Sequence, residues 1–161
     1  MLRERADFII GTTEQLQIQY SPLNLSSLRQ IGEERGIRVI ESQKALLNVS
    51  LFHPDIGWLI FYRRSNFIER SMAGLAHELG HAVLDHRRID NNPFAYDDEE
   101  EEADFFAESL LGVEPLFIHR IALDELHKLS KHPLIYLSQR IKRGGINRYC
   151  AVLLKEIGLA E

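Results

Sequence analysis

The sequence predicts an α+β fold, a small three-stranded sheet packed on a mainly helical body, and two observations predict it. Short runs rich in β-branched and aromatic residues are confined to residues 37–63, while apolar residues recur at helical spacing before and after them. At 161 residues the chain is most economically one domain with a real hydrophobic core, residues 1–161. In order, a helical segment runs to about residue 19, and a second helix spans about 24–35, stopped by Gly36. Strands follow at 37–41, 46–52 and 57–63, the last reading Gly57-Trp58-Leu59-Ile60-Phe61-Tyr62-Arg63. A long helix is predicted over about 66–86 and another over about 98–112. Pro115 suits the start of a helix over 115–129, and helices near 133–142 and 146–158, parted by Gly144-Gly145, complete the chain.

Composition narrows the function. A net charge of −5 argues against general nucleic-acid binding, which needs a basic face. The local cluster Arg140, Lys142 and Arg143, with Lys131 nearby, reads as a solvated helix end. The one cysteine, Cys150, excludes an internal disulfide, fits a reducing compartment, and sits in an apolar helical stretch as a core residue. No apolar h-region follows the N-terminal Met1-Leu2-Arg3-Glu4-Arg5, and no apolar run is long enough to span a bilayer, so a soluble, cytoplasmic protein is expected.

The chemistry is concentrated in His77-Glu78-Leu79-Gly80-His81. Phe67, Ile68, Met72, Leu75, Ala76, Leu79, Val83 and Leu84 recur at helical spacing around it. Asn66 with Glu69 looks like a weakened capping box, and Arg87 and Arg88 suit the negative end of the helix dipole. On a helix, histidines four apart project from one face, with Glu78 in the same quadrant. The arrangement offers two imidazole nitrogens to Zn2+ and a carboxylate beside the open position, the H-E-x-x-H pattern of zinc hydrolases. Glu78 would then be the general base and His77 and His81 two of the ligands.

A third protein ligand is still needed. A histidine six residues after the second would fall at position 87, which is Arg87; His86 is one residue off and reads as a helix-end residue. The alternative is a glutamate from the helix that follows the acidic run Asp97–Glu102. At roughly 100° per residue, Glu99 and Glu100 each lie about 50° from the centre of that helix's apolar face, and Glu101 and Glu102 point away from it. Periodicity therefore leaves Glu99 and Glu100 tied.

The stretch Glu100-Glu101-Glu102-Ala103-Asp104 resembles the E-x-x-A-D/N motif of Glu-type zincins, and the chain more broadly resembles the ImmA/IrrE family of small metallopeptidases. The similarity runs through Ser21-Pro22-Leu23-Asn24-Leu25, Arg35-Gly36-Ile37-Arg38-Val39, Ala76 to Leu84 and Glu100 to Leu111. It departs after Leu111, where Gly112-Val113-Glu114-Pro115 replaces the Met-Pro common in the family. The resemblance implies a zincin-like fold with a catalytic core over about 20–112 and a helical tail over about 115–161. It implies Glu100 as the third zinc ligand and Asp104 as the support of a ligand histidine, and a sheet edge beside the active-site helix that receives an extended substrate. It further implies a regulatory endopeptidase whose substrate is a specific protein such as a helix-turn-helix repressor. A non-catalytic binding module or toxin–antitoxin component that sequesters a partner is the rival. An oxyanion-stabilising His or Tyr would come from Tyr96, His119, His127, His132 or Tyr136, among which the sequence does not choose.

Overall fold

A computed structural model describes residues 3–43, 45, 48–87, 93–112 and 152–159, without the side chains of 93–97. The first helix, α1, spans Arg3–Gln19, and α2 spans Leu25–Glu34. Asn24 caps α2: its side chain accepts from the Ser26 and Ser27 amides at 2.9 and 3.0 Å, while Ser27 Oγ accepts from the Asn24 amide at 2.7 Å. Gly36, at φ +73°, ends the helix where predicted. The Ile37 amide returns to the Gly32 carbonyl at 2.9 Å and the Gly36 amide to that of Glu33 at 3.0 Å, a Schellman closure.

The sheet comprises β1 (Arg38–Glu41), β2 (Val49–His53) and β3 (Gly57–Tyr62) in the order β1-β3-β2. β3 is central, parallel to β1 and antiparallel to β2. Its apolar run Leu59–Tyr62 is buried throughout, as expected of a central strand covered on both faces. Helix α3 spans Ile68–Val83 and packs on both β2 and β3, and helix α4 spans Pro93–Leu111. α4 starts five residues before the predicted 98, with Pro93 as its first residue, where the missing amide hydrogen costs nothing.

α3 enters differently from the prediction. Its N-cap is Phe67, which makes no side-chain cap bond, and Asn66 caps nothing. Instead the buried Ser71 Oγ accepts from the Ser65 amide at 2.8 Å, and Ser65 Oγ accepts from the Phe67 amide at 3.2 Å. α3 and α4 make the most extensive helix contact of the fold, and α1 lies against another side of α4. Gln17 of α1 donates to the Ser109 and Leu110 carbonyls at 2.9 Å each, covering the exposed end of α4.

The α3–α4 contact is close because of one glycine. A Cβ on Gly80 would lie 3.1 Å from both the Cα and carbonyl oxygen of Ala103, and 3.2 Å from Phe106 Cδ1. Gly80→Val must therefore push one backbone away from another. Overpacking of this kind costs about 1–3 kcal/mol, a Tm loss of roughly 2–12 °C for a domain of this size. An unchanged melting temperature would show that the helices can part freely.

Contacts group the chain into two units, residues 1–118 and 119–161. Every element above lies in the first; in the second, the described residues include a helical run over 152–156. The helices predicted at 115–129 and 133–142 lie outside the described residues, as do most of 146–158 and the Arg140, Lys142, Arg143 cluster. No helix among the described residues is long and apolar enough to cross a membrane.

Candidate metal centre

α3 and α4 bring His77, His81 and Glu100 to one point. His77 Nε2 lies 3.2 Å from His81 Nε2 and 3.3 Å from Glu100 Oε2, and His81 Nε2 lies 3.4 Å from Glu100 Oε1. Asp104, one turn beyond Glu100, reaches the other side of His77, with Oδ1 2.8 Å from Nδ1. The tie between the two glutamates is broken in space: Glu100 joins the histidines, and Glu99 is not among the three.

Why three such groups should face one another is a question of protons. Asp104 takes the Nδ1 proton of His77. The Nδ1 of His81 faces Nδ1 of His86 at 3.0 Å, and that contact also holds a proton. His77 Nε2 is then a lone-pair acceptor, and where His81 carries its proton on Nδ1 both Nε2 atoms are, aimed with a carboxylate at one place where a cation relieves the repulsion. The spacing fits zinc. Bonds of about 2.0–2.1 Å in a tetrahedron set ligand atoms about 3.3 Å apart, beside 3.2 Å between the two Nε2 atoms, and each nitrogen faces its own oxygen of Glu100 at 3.3 and 3.4 Å. Two imidazoles and a carboxylate are also a donor set zinc accepts while leaving a fourth position open.

In the stripped protein a proton must serve as that cation. Burial works against charge on His77, but hydrogen bonds to Asp104 and Glu100 and the negative charge of Glu78 outweigh it, raising its pKa to about 10. Burial likewise opposes charge on Glu100, and the hydrogen bonds from His77 and His81 hold its carboxyl well below the usual range. Because the His77 value is raised, its pairing stabilises the stripped fold fully below about pH 6.5 and is lost as pH climbs through about 10. Zinc must displace this proton. Zinc titrations between pH 7 and 8.5 should thus release about one proton, and apparent affinity should rise about tenfold per pH unit. An affinity flat over that range would mean that His77 is already neutral there.

Glu78 is buried on α3 beside the three donors but is not one of them.

Two residues of this neighbourhood escaped the sequence reading. His86, read as a helix-end residue, is 6% exposed and lies against His81. Glu102, expected to point away, does leave the apolar face but lies between His86 and Arg5, its Oε2 2.9 Å from His86 Nε2 and 2.9 Å from the Arg5 guanidinium. The reason is that α4 is covered on a second side by α1, which a single apolar stripe does not reveal. Burial pushes the His86 pKa down, with Glu102 pulling the other way. Of the proposed oxyanion stabilisers, the side chains of Tyr96, His119, His127, His132 and Tyr136 all lie outside the described residues.

Compared with known proteins, residues 32–131 match the family model described as Peptidase_M78, IrrE N-terminal-like domain. No curated protein and no solved structure matches significantly.

Proposed function

Because the chain belongs to the Peptidase_M78 (IrrE N-terminal-like) family, we propose that it is a zinc-dependent endopeptidase with His77, His81 and Glu100 as the metal ligands. The observation that carries this reading is the convergence of two imidazoles and a carboxylate on one point, with the buried Glu78 carboxylate beside the histidines on α3. Bound there, zinc supplies Lewis acidity, polarising a carbonyl and acidifying water to a pKa of roughly 7. Glu78 is the general base: it takes the proton of the attacking water and hands it to the leaving amine. Asp104 holds the His77 ring by its Nδ1 proton, which keeps Nε2 free to ligate. The intact base distinguishes this reading from a purely structural metal site, which has no use for one.

The substrate is proposed to be a specific folded protein in the cytoplasm, of the helix-turn-helix repressor class, recognised by docking rather than by peptide sequence alone. The support for this is the family resemblance, which extends from the motifs into the tail. The test is a pull-down from the native cell with wild type and Glu78→Gln side by side, read by mass spectrometry and by zinc content. A protein held intact by Glu78→Gln and cut by wild type establishes the protease and names its substrate. A protein held intact by both zinc-loaded forms would replace it with a sequestering module.

A further inference from the structure

We propose that His86 is a positioning residue for the metal site, accepting the Nδ1 proton of His81 and so fixing that ring with its Nε2 lone pair toward His77 and Glu100, while Glu102 and Arg5 hold His86 in register. The inference deepens the zinc reading above and rests on it.

The direction of every proton in this chain follows from its far end. Arg5 can only donate, and its Nε and Nη2 each lie 2.9 Å from Glu102 Oε2. The ionised Glu102 can only accept, so the hydrogen of the 2.9 Å contact with His86 sits on His86 Nε2. A neutral ring protonated at Nε2 presents a lone pair at Nδ1. The hydrogen in the 3.0 Å Nδ1–Nδ1 contact therefore belongs to His81, whose Nε2 is left bare. Asp104 does the same for His77 with a carboxylate; His81 receives a neutral partner instead, which a two-carboxylate search would overlook.

The backbone delivers His86 to this place. α3 closes with a Schellman motif in which Asp85 stands at φ +56° and the His86 amide donates to the His81 carbonyl at 2.9 Å. His86 thus grips His81 through main chain and side chain together. Asp85 is itself held, accepting from Trp58 Nε1 at 3.2 Å and Arg87 Nε at 2.7 Å. Arg5 Nη2 also reaches the Leu84 carbonyl at 3.5 Å, tying α1 to the same turn.

Two measurements decide it. In long-range 1H–15N spectra of the zinc-loaded wild type, His81 should carry its proton on Nδ1 and His86 on Nε2. A proton on Nδ1 of His86 overturns the proposal without any variant. Second, zinc affinity is measured by chelator competition for wild type, His86→Leu and His86→Asn, each checked for fold by circular dichroism. His86→Leu removes the acceptor and should weaken zinc binding about 10–100-fold. His86→Asn, which can place a carbonyl oxygen near the position of Nδ1, should recover most of that loss. Wild-type affinity in a folded His86→Leu overturns the proposal and leaves the zinc reading standing. A wild type that takes up no zinc overturns both.

Discussion

Glu78→Gln should lower hydrolysis of the native substrate about 10²–10⁴-fold, the usual weight of a general base, while zinc content and zinc affinity stay near wild type. The substitution keeps the shape and hydrogen-bonding size of the side chain and removes only its ability to take a proton. Glu78 stands outside the donor group of His77, His81 and Glu100, so the metal loses no ligand. One indirect effect has a known sign. The Glu78 charge helps raise the His77 pKa, so the amide should ease the proton off His77 and favour zinc slightly. Single-turnover cleavage and metal analysis on the same preparation separate the two effects. Comparable cleavage by the variant would remove Glu78 from the mechanism, and loss of zinc would make it a ligand instead.

Glu100→Ala should have the opposite signature, a loss of metal. Structural zinc held by four protein ligands is bound by about 10–16 kcal/mol, roughly 2.5–4 kcal/mol for each ligand, so affinity should fall about 10²–10³-fold. Glu99→Ala, one residue away on the same helix, should change it little. The two variants share helix, charge change and exposure to the dipole, so their difference isolates ligation from electrostatics. Chelator competition measures it, and a larger loss in Glu99→Ala would transfer the ligand role to that residue.

The elements of the fold were legible where local chemistry is self-announcing. Gly36 marked the end of α2 because few residues other than glycine tolerate its left-handed turn, and the run Leu59–Tyr62 marked a strand buried from both sides. The end of α3 was not legible, because the same turn is made there by Asp85, so periodicity alone carried the helix on to 86. That one overrun hid His86: continued as helix it leaves the site, whereas turned back at Asp85 it lies against His81. Asn66 misled in a related way, since a good cap residue is only a preference: the helix starts after Phe67 with no side-chain cap, and Ser71 within it ties down the preceding Ser65 amide instead. The pairing of His77 with His81 was fixed by spacing on one helix. The choice between Glu99 and Glu100 belonged to how α4 is set against α3, which periodicity along either one does not contain.

How closely the two helices approach depends on main chain meeting main chain at Gly80 and Ala103, and that closeness would bear on which ions a metal site between them could admit. Side chains can shuffle to accommodate a larger guest, but two abutting backbones form a hard stop. Calcium, with bonds of 2.3–2.6 Å and an appetite for six or more oxygens, needs a wider and more pliant cradle. With zinc held there as proposed, discrimination between hard and borderline cations would rest on an absent methyl group on the neighbouring turn as much as on the identity of the ligands themselves.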